Sequence, residues 1–167
     1  MHLTISTPIP KKRAKKSNQS VTFFTTGYEQ TEPVAFLRRL KAEGVELIVD
    51  VRDMPLSRRK GFSKNQLQAL LAEEGIDYTH LKPLGAPKEL RNRLHAGGSW
   101  WEYMKGYRKV LDRETAQLDA LVELAQERRI CLLCFERKPE ECHRSLVAHE
   151  MEQRTARGNV RVEHIRY

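Results

Sequence analysis

The chain has 167 residues, 40% of them hydrophobic and 31% charged, with a formal net charge of +8. That length suits one ordinary domain, which can bury a core without a metal or disulfide, and no apolar run approaches the ~20 residues that span a bilayer. The N-terminus lacks the apolar core of a secretory signal, and cysteines crowded at 131, 134 and 142 do not make a secreted disulfide framework; a cytoplasmic protein with reduced thiols is expected.

Five of the eight net charges belong to residues 1–20, where Lys11, Lys12, Arg13, Lys15 and Lys16 stand with no acid. With Pro8, Pro10 and no apolar period, this stretch is expected to be a disordered basic arm. Such an arm is attracted to phosphate backbones without reading sequence, or else only aids solubility.

Residues 21–167 are expected to form one α/β domain. VTFFTTGY, residues 21–28, is β-branched and aromatic up to Gly27 and predicts a first strand. Thr31 is placed to cap a helix that tolerates Pro33 in its first turn, with Val34, Phe36, Leu37 and Leu40 on one face and Gly44 as its stop. ELIVDVRD, residues 46–53, begins almost continuously apolar, as a strand buried on both faces does. After a basic, turn-rich segment, Ser63 and Gln66 have the spacing of a capping box for a helix carrying Leu67, Leu70 and Leu71, ended by Gly75. IDYTHL, residues 76–81, alternates as a third strand. Residues 82–99 hold enough helix breakers to predict a long loop. Trp100 and Trp101 open an aromatic helix with Tyr103, Met104 and Tyr107, and Leu118, Leu121, Val122 and Ala125 mark another at helical spacing. ICLLCFE is a fourth strand, residues 139–156 a last helix, and VRVEHI a fifth strand after Gly158 and Asn159. Alternating strands and helices predict a mainly parallel, Rossmann-like sheet of about five strands flanked by helices.

Reactive residue types gather where the fourth strand hands over to the last helix. Cys131 and Cys134 are three apart, so on a regular strand they face opposite ways and cannot share a metal; Cys131 reads as core. Cys134 and Glu136 are two apart and share a face near the C-terminal strand edge, where ligands bind in open parallel sheets. Cys142, His143 and Arg144 are expected in the first turns of the helix, where free amides and an arginine favour an anion and a thiolate. Asp50 and Arg52 leave one face at the end of the second strand and are expected to join the same site. Each residue has a plainer use: a small buried cysteine, a hydrogen-bonded histidine, or a surface ion pair.

The stretch from about residue 24 to residue 165 resembles the domain of unknown function 488 family. The resemblance is carried by Gly27-Tyr28, by Asp50-Val51-Arg52 with Pro55 and Ser57-Arg58, and by the run Leu133-Cys134-Phe135-Glu136-Arg137-Lys138-Pro139-Glu140-Glu141-Cys142-His143-Arg144. The basic arm and Cys131 depart from that pattern. The resemblance implies the fold and the site, and by its name no reaction.

Three functions compete. In the first, Asp50 or Glu136 is a general base or metal ligand, His143 moves or orients a proton, and Arg52, Arg58 and Arg144 hold the phosphate of a nucleic acid or other ligand. Trp100, Trp101 and Tyr103 are then available for base stacking. In the second, Cys134 or Cys142 is the nucleophile of a loosely rhodanese-like enzyme, although Cys134 and Arg144 are farther apart than in that pattern. In the third, a non-catalytic basic adaptor binds nucleic acid or a ribonucleoprotein through its arm. The residue pattern names no cofactor and fixes no oligomeric state.

Overall fold

The computed structural model describes residues 20–155 and 160–167. The basic arm and the turn at Gly158 and Asn159 lie outside them. Five strands, β1 (Val21–Gly27), β2 (Leu47–Asp50), β3 (Asp77–His80), β4 (Ile130–Cys134) and β5 (Val160–Ile165), pair in parallel in the order β3-β2-β4-β1-β5. The crossovers carry helices α1 (Pro33–Ala42), α2 (Lys64–Glu73), α3 (Lys88–His95), α4 (Trp100–Leu111), α5 (Thr115–Glu127) and α6 (Arg144–Arg154). No helix among the described residues is long and apolar enough to cross a membrane.

Strand alternation splits the core into two layers. Phe23, Leu47, Val49, Val51, Ile130 and Leu132 face one way, against the buried stripes of α4, α5 and α6. Phe24, Ile48, Cys131 and Leu133 face the other, against Phe36 and Leu40 of α1 and Leu67 and Leu71 of α2. Cys131 is therefore core, as the period of two requires. β2 and β4 are buried along their whole length because helices cover both faces, the physical reason for their near-continuous apolar sequence.

Several local expectations are corrected. Thr31 does not cap α1: the cap position is Glu32, and the Thr31 hydroxyl donates to the Glu29 carbonyl. Ser63 is the cap residue of α2, but its hydroxyl bonds the backbone of Ser57, while Gln66 accepts from the Gly61 amide. The two side chains thus fasten the loop after β2 rather than close a capping box. Residues 82–99 are not a loop but a 3-10 turn at Lys82–Leu84 followed by α3. No residue of α3 is fully buried, so its sequence shows little apolar period; Leu90 and Leu94 alone lean on the core. Nor is 139–156 one helix: Pro139–Glu141 is a 3-10 turn, Cys142 is extended, and α6 starts at Arg144.

Candidate functional site

The residues expected to share one site occupy two, on opposite faces of the sheet. Asp50 lies beside Leu133 in register, so its side chain takes the α1/α2 face, whereas Cys134, one residue on, turns to the α4/α6 face. On the first face Asp50 is fully buried and accepts from Arg52 Nε at 2.9 Å, Arg52 Nη2 at 2.6 Å and the Tyr78 hydroxyl at 2.6 Å. Arg52 completes its fork on the Tyr28 hydroxyl at 2.9 Å and the Phe62 carbonyl at 2.8 Å. Burial alone would lower the Arg52 pKa, but Asp50 holds it above the usual value. Burial and then the Asp50 charge raise that of Tyr78. This is a closed ion pair with its hydrogen bonds met inside the protein, the condition under which a buried charge is tolerated.

The second face carries the reactive cluster. Cys134 Sγ donates to Glu136 Oε2 at 3.1 Å and lies 3.7 Å from His143 Nδ1, which is 3.9 Å from Cys142 Sγ. One donor atom from each of Cys134, Glu136, Cys142 and His143 lies within 4.8 Å of all the others. Nε2 of His143 is 2.8 Å from the Val51 carbonyl, an acceptor only, so that nitrogen carries a proton and Nδ1 faces the sulfurs. The Tyr107 ring packs edge-on against the imidazole at 5.1 Å, and the Tyr107 hydroxyl is tied to the Leu84 carbonyl at 2.5 Å. Both cysteines and the histidine are buried, while Glu136 is half-buried.

Two features hold Glu136 in place. At Gly27 a Cβ would stand 1.7 Å from the Glu136 carbonyl oxygen, so only glycine lets the end of β1 approach the 135–137 turn. Arg144, fully buried, donates to that carbonyl at 2.5 Å, to the Arg137 carbonyl at 3.2 Å and to the Thr25 hydroxyl at 3.2 Å. The guanidinium groups of Arg52 and Arg144, expected to hold phosphate, are thus committed to protein acceptors. Arg58 alone of the three is exposed. Cys142 and His143, expected in the first turns of a helix, sit just before α6, with Cys142 extended and His143 at the cap position.

The cluster is electrostatically tense. Burial opposes a thiolate at Cys142, but the facing Cys134 thiol, His143 and Arg144 outweigh it and hold its pKa well below the ordinary thiol value. Burial likewise opposes charge on His143, and the Cys142 thiolate overcomes it. Hydrogen bonding to Cys142 and then burial push Cys134 well up. Burial followed by the Cys142 charge pushes Glu136 up to about 7.

Sequence reasoning reached these four residues and missed what surrounds them. Tyr107 walls the cluster against His143, and Tyr103 stacks on Tyr107 at 6.5 Å, its pKa raised by burial and then by the charges of Cys142, Glu136 and Cys134. Tyr103 and Tyr107, four apart on one face of α4, are the signal that could have found this wall. Of the aromatics expected to stack on bases, Tyr103 is buried and Trp100 stacks on it at 4.9 Å; Trp101 is 64% exposed with Lys105 over its ring at 5.0 Å.

No curated protein and no solved structure matches the chain. A family model, described as a domain of unknown function, DUF488, matches residues 32–151. The match leaves β1 and β5 outside, a narrower span than the motifs suggested, but takes in the Asp50–Arg52 pair and all four residues of the cluster. Covering most of the chain, it places the protein in DUF488.

Proposed function

We propose that the protein binds one divalent metal ion of the zinc class at Cys134, Glu136, Cys142 and His143. The observation that supports this reading is convergence: two thiols, an imidazole and a carboxylate, each contributing one atom, lie within 4.8 Å of one another. A four-coordinate ion with bonds of ~2.0–2.3 Å requires donors roughly 3.3–3.8 Å apart, and three of the pairs here stand at 3.1, 3.7 and 3.9 Å. Histidine ligands commonly donate their other ring N–H to a carbonyl, as His143 does to Val51. Two soft sulfurs select zinc over magnesium or calcium. Charge agrees as well: two thiolates and a carboxylate are matched by a divalent ion together with the buried guanidinium of Arg144.

Elemental analysis of the purified full-length chain is the test. About one equivalent of metal is expected, falling to near zero in Cys134→Ser and Cys142→Ser. A wild-type protein that takes up no zinc from solution sinks the reading.

The basic arm supports a second reading, nucleic-acid or phosphate attraction through Lys11, Lys12, Arg13, Lys15 and Lys16, with Arg58 as an exposed cation of the domain itself. Filter binding at rising salt, with and without residues 1–20, checks it; an unchanged affinity and salt slope after deletion removes the arm from the explanation. A thiol-dependent enzyme has weaker support, because Cys134 and Cys142 are 4% and 1% exposed and offer a substrate little approach. Rapid alkylation of either by iodoacetamide in the folded protein would restore it.

A further inference from the structure

We infer that Glu136 is the exchangeable ligand of this centre, and that a small carboxylate can take its place on the metal; this rests on the metal reading above. The four ligands are not held alike. Cys134 is set in β4, His143 is fixed through Nε2 to the Val51 carbonyl, and Cys142 through its N–H to the Pro139 carbonyl. All three are nearly inaccessible, at 1–4% exposure. Glu136 is half-buried, and its carboxylate is held by the Cys134 thiol at 3.1 Å, with Cys142 and its own backbone amide beside it. That bond disappears when the thiol gives up its proton to bind metal. The Glu136 backbone is pinned separately by Arg144, so its side chain can swing without moving the turn.

A closed set of four protein ligands marks a structural zinc site, and three firm ligands with one exchangeable position marks a reactive one. Charge selects the incoming ligand. Replacing one carboxylate by another keeps the buried centre balanced, whereas a neutral ligand leaves it with an excess of positive charge. On the open side, Tyr103 stacks at 6.5 Å on Tyr107, whose ring meets His143 edge-on. Tyr103 also lines a cavity of about 210 Å³ with Leu90, Leu94, Ser99 and Glu102, which none of the four cluster residues lines.

Cobalt substitution of the full-length protein tests this, using acetate and azide as probes. The expected result is a thiolate-to-cobalt band that persists while the d–d bands shift saturably with either anion. Glu136→Gln should keep its cobalt and bind azide at least about tenfold more tightly, the neutral amide competing less well for the ion. Wild-type d–d bands that ignore both anions, or a Glu136→Gln protein that cannot hold cobalt, overturn the exchange and leave a closed site. Absence of any thiolate-to-cobalt band in the wild type instead overturns the metal reading itself.

Discussion

Asp50 and Glu136 are both carboxylates at the C-terminal edge of the sheet, and their surroundings give them opposite characters. Asp50 is enclosed by Arg52 and Tyr78 and is held as a paired anion. Asp50→Asn removes the charge but keeps the volume, leaving the Arg52 guanidinium buried and unpaired. A loss of about 3–5 kcal/mol is expected from urea unfolding, whereas Arg58→Ala, at an exposed position, should stay within about 0.5 kcal/mol of the wild type. Glu136 faces two sulfurs instead, and in the metal-free protein its carboxyl is pushed up to about 7. Metal binding must remove that proton and the one on Cys134, whose pKa is raised too. Protons are released on loading, so apparent affinity rises with pH while Cys134 holds its proton, and falls more steeply below about 7, where Glu136 holds one as well. Competition with a zinc indicator on either side of that value measures it; a flat profile would show that neither group carries a proton to displace.

Among the elements, the decisive contact is between the end of β1 and the turn after β4. Gly27 has no side chain to spare there, since a Cβ would overlap the Glu136 carbonyl oxygen. Gly27→Ala should therefore push the 135–137 turn away, destabilising the protein by about 3 kcal/mol and lowering metal content together with stability. Thermal unfolding and elemental analysis on one preparation show whether the two losses travel together. The start of α6 matters for the same reason. A helix running from residue 139, as the sequence suggests, would carry Cys142 and His143 on its surface turns. The 3-10 turn and the extended Cys142 bring them back beneath β4, and Arg144 at the first helical position closes the arrangement.

For the molecule as a whole, two helical layers on one parallel sheet bury two apolar cores, and the metal reading adds a third source of stability at the seam between β2, β4 and α6. Free zinc at ~1,000 times Kd adds about 4 kcal/mol to the folded state, which for a chain of this size is roughly 8–16 °C in Tm. A chelator at equilibrium should remove that increment. The family match spans both the ion pair and the cluster, and by its own description names no activity.

Much of this was legible in the residues themselves. Alternation within ICLLC assigns Cys131 to the core and Cys134 to the other face, because the side-chain period of a strand is two and needs no tertiary information. Buried strands, amphipathic stripes such as Leu118 to Ala125, and the closeness of Cys134 to Glu136 follow from equally local rules. Tertiary structure alone decided the rest. Whether Asp50 and Cys134 share a face depends on the register between β2 and β4, and register is a long-range pairing that no spacing along the chain encodes. Arg52 and Arg144 look like free cations until acceptors, several of them distant in sequence, engage all three nitrogens of each guanidinium. Cys142 and His143 become partners of Cys134 because the Val51 carbonyl, from another strand, meets the imidazole and fixes which nitrogen faces the sulfurs.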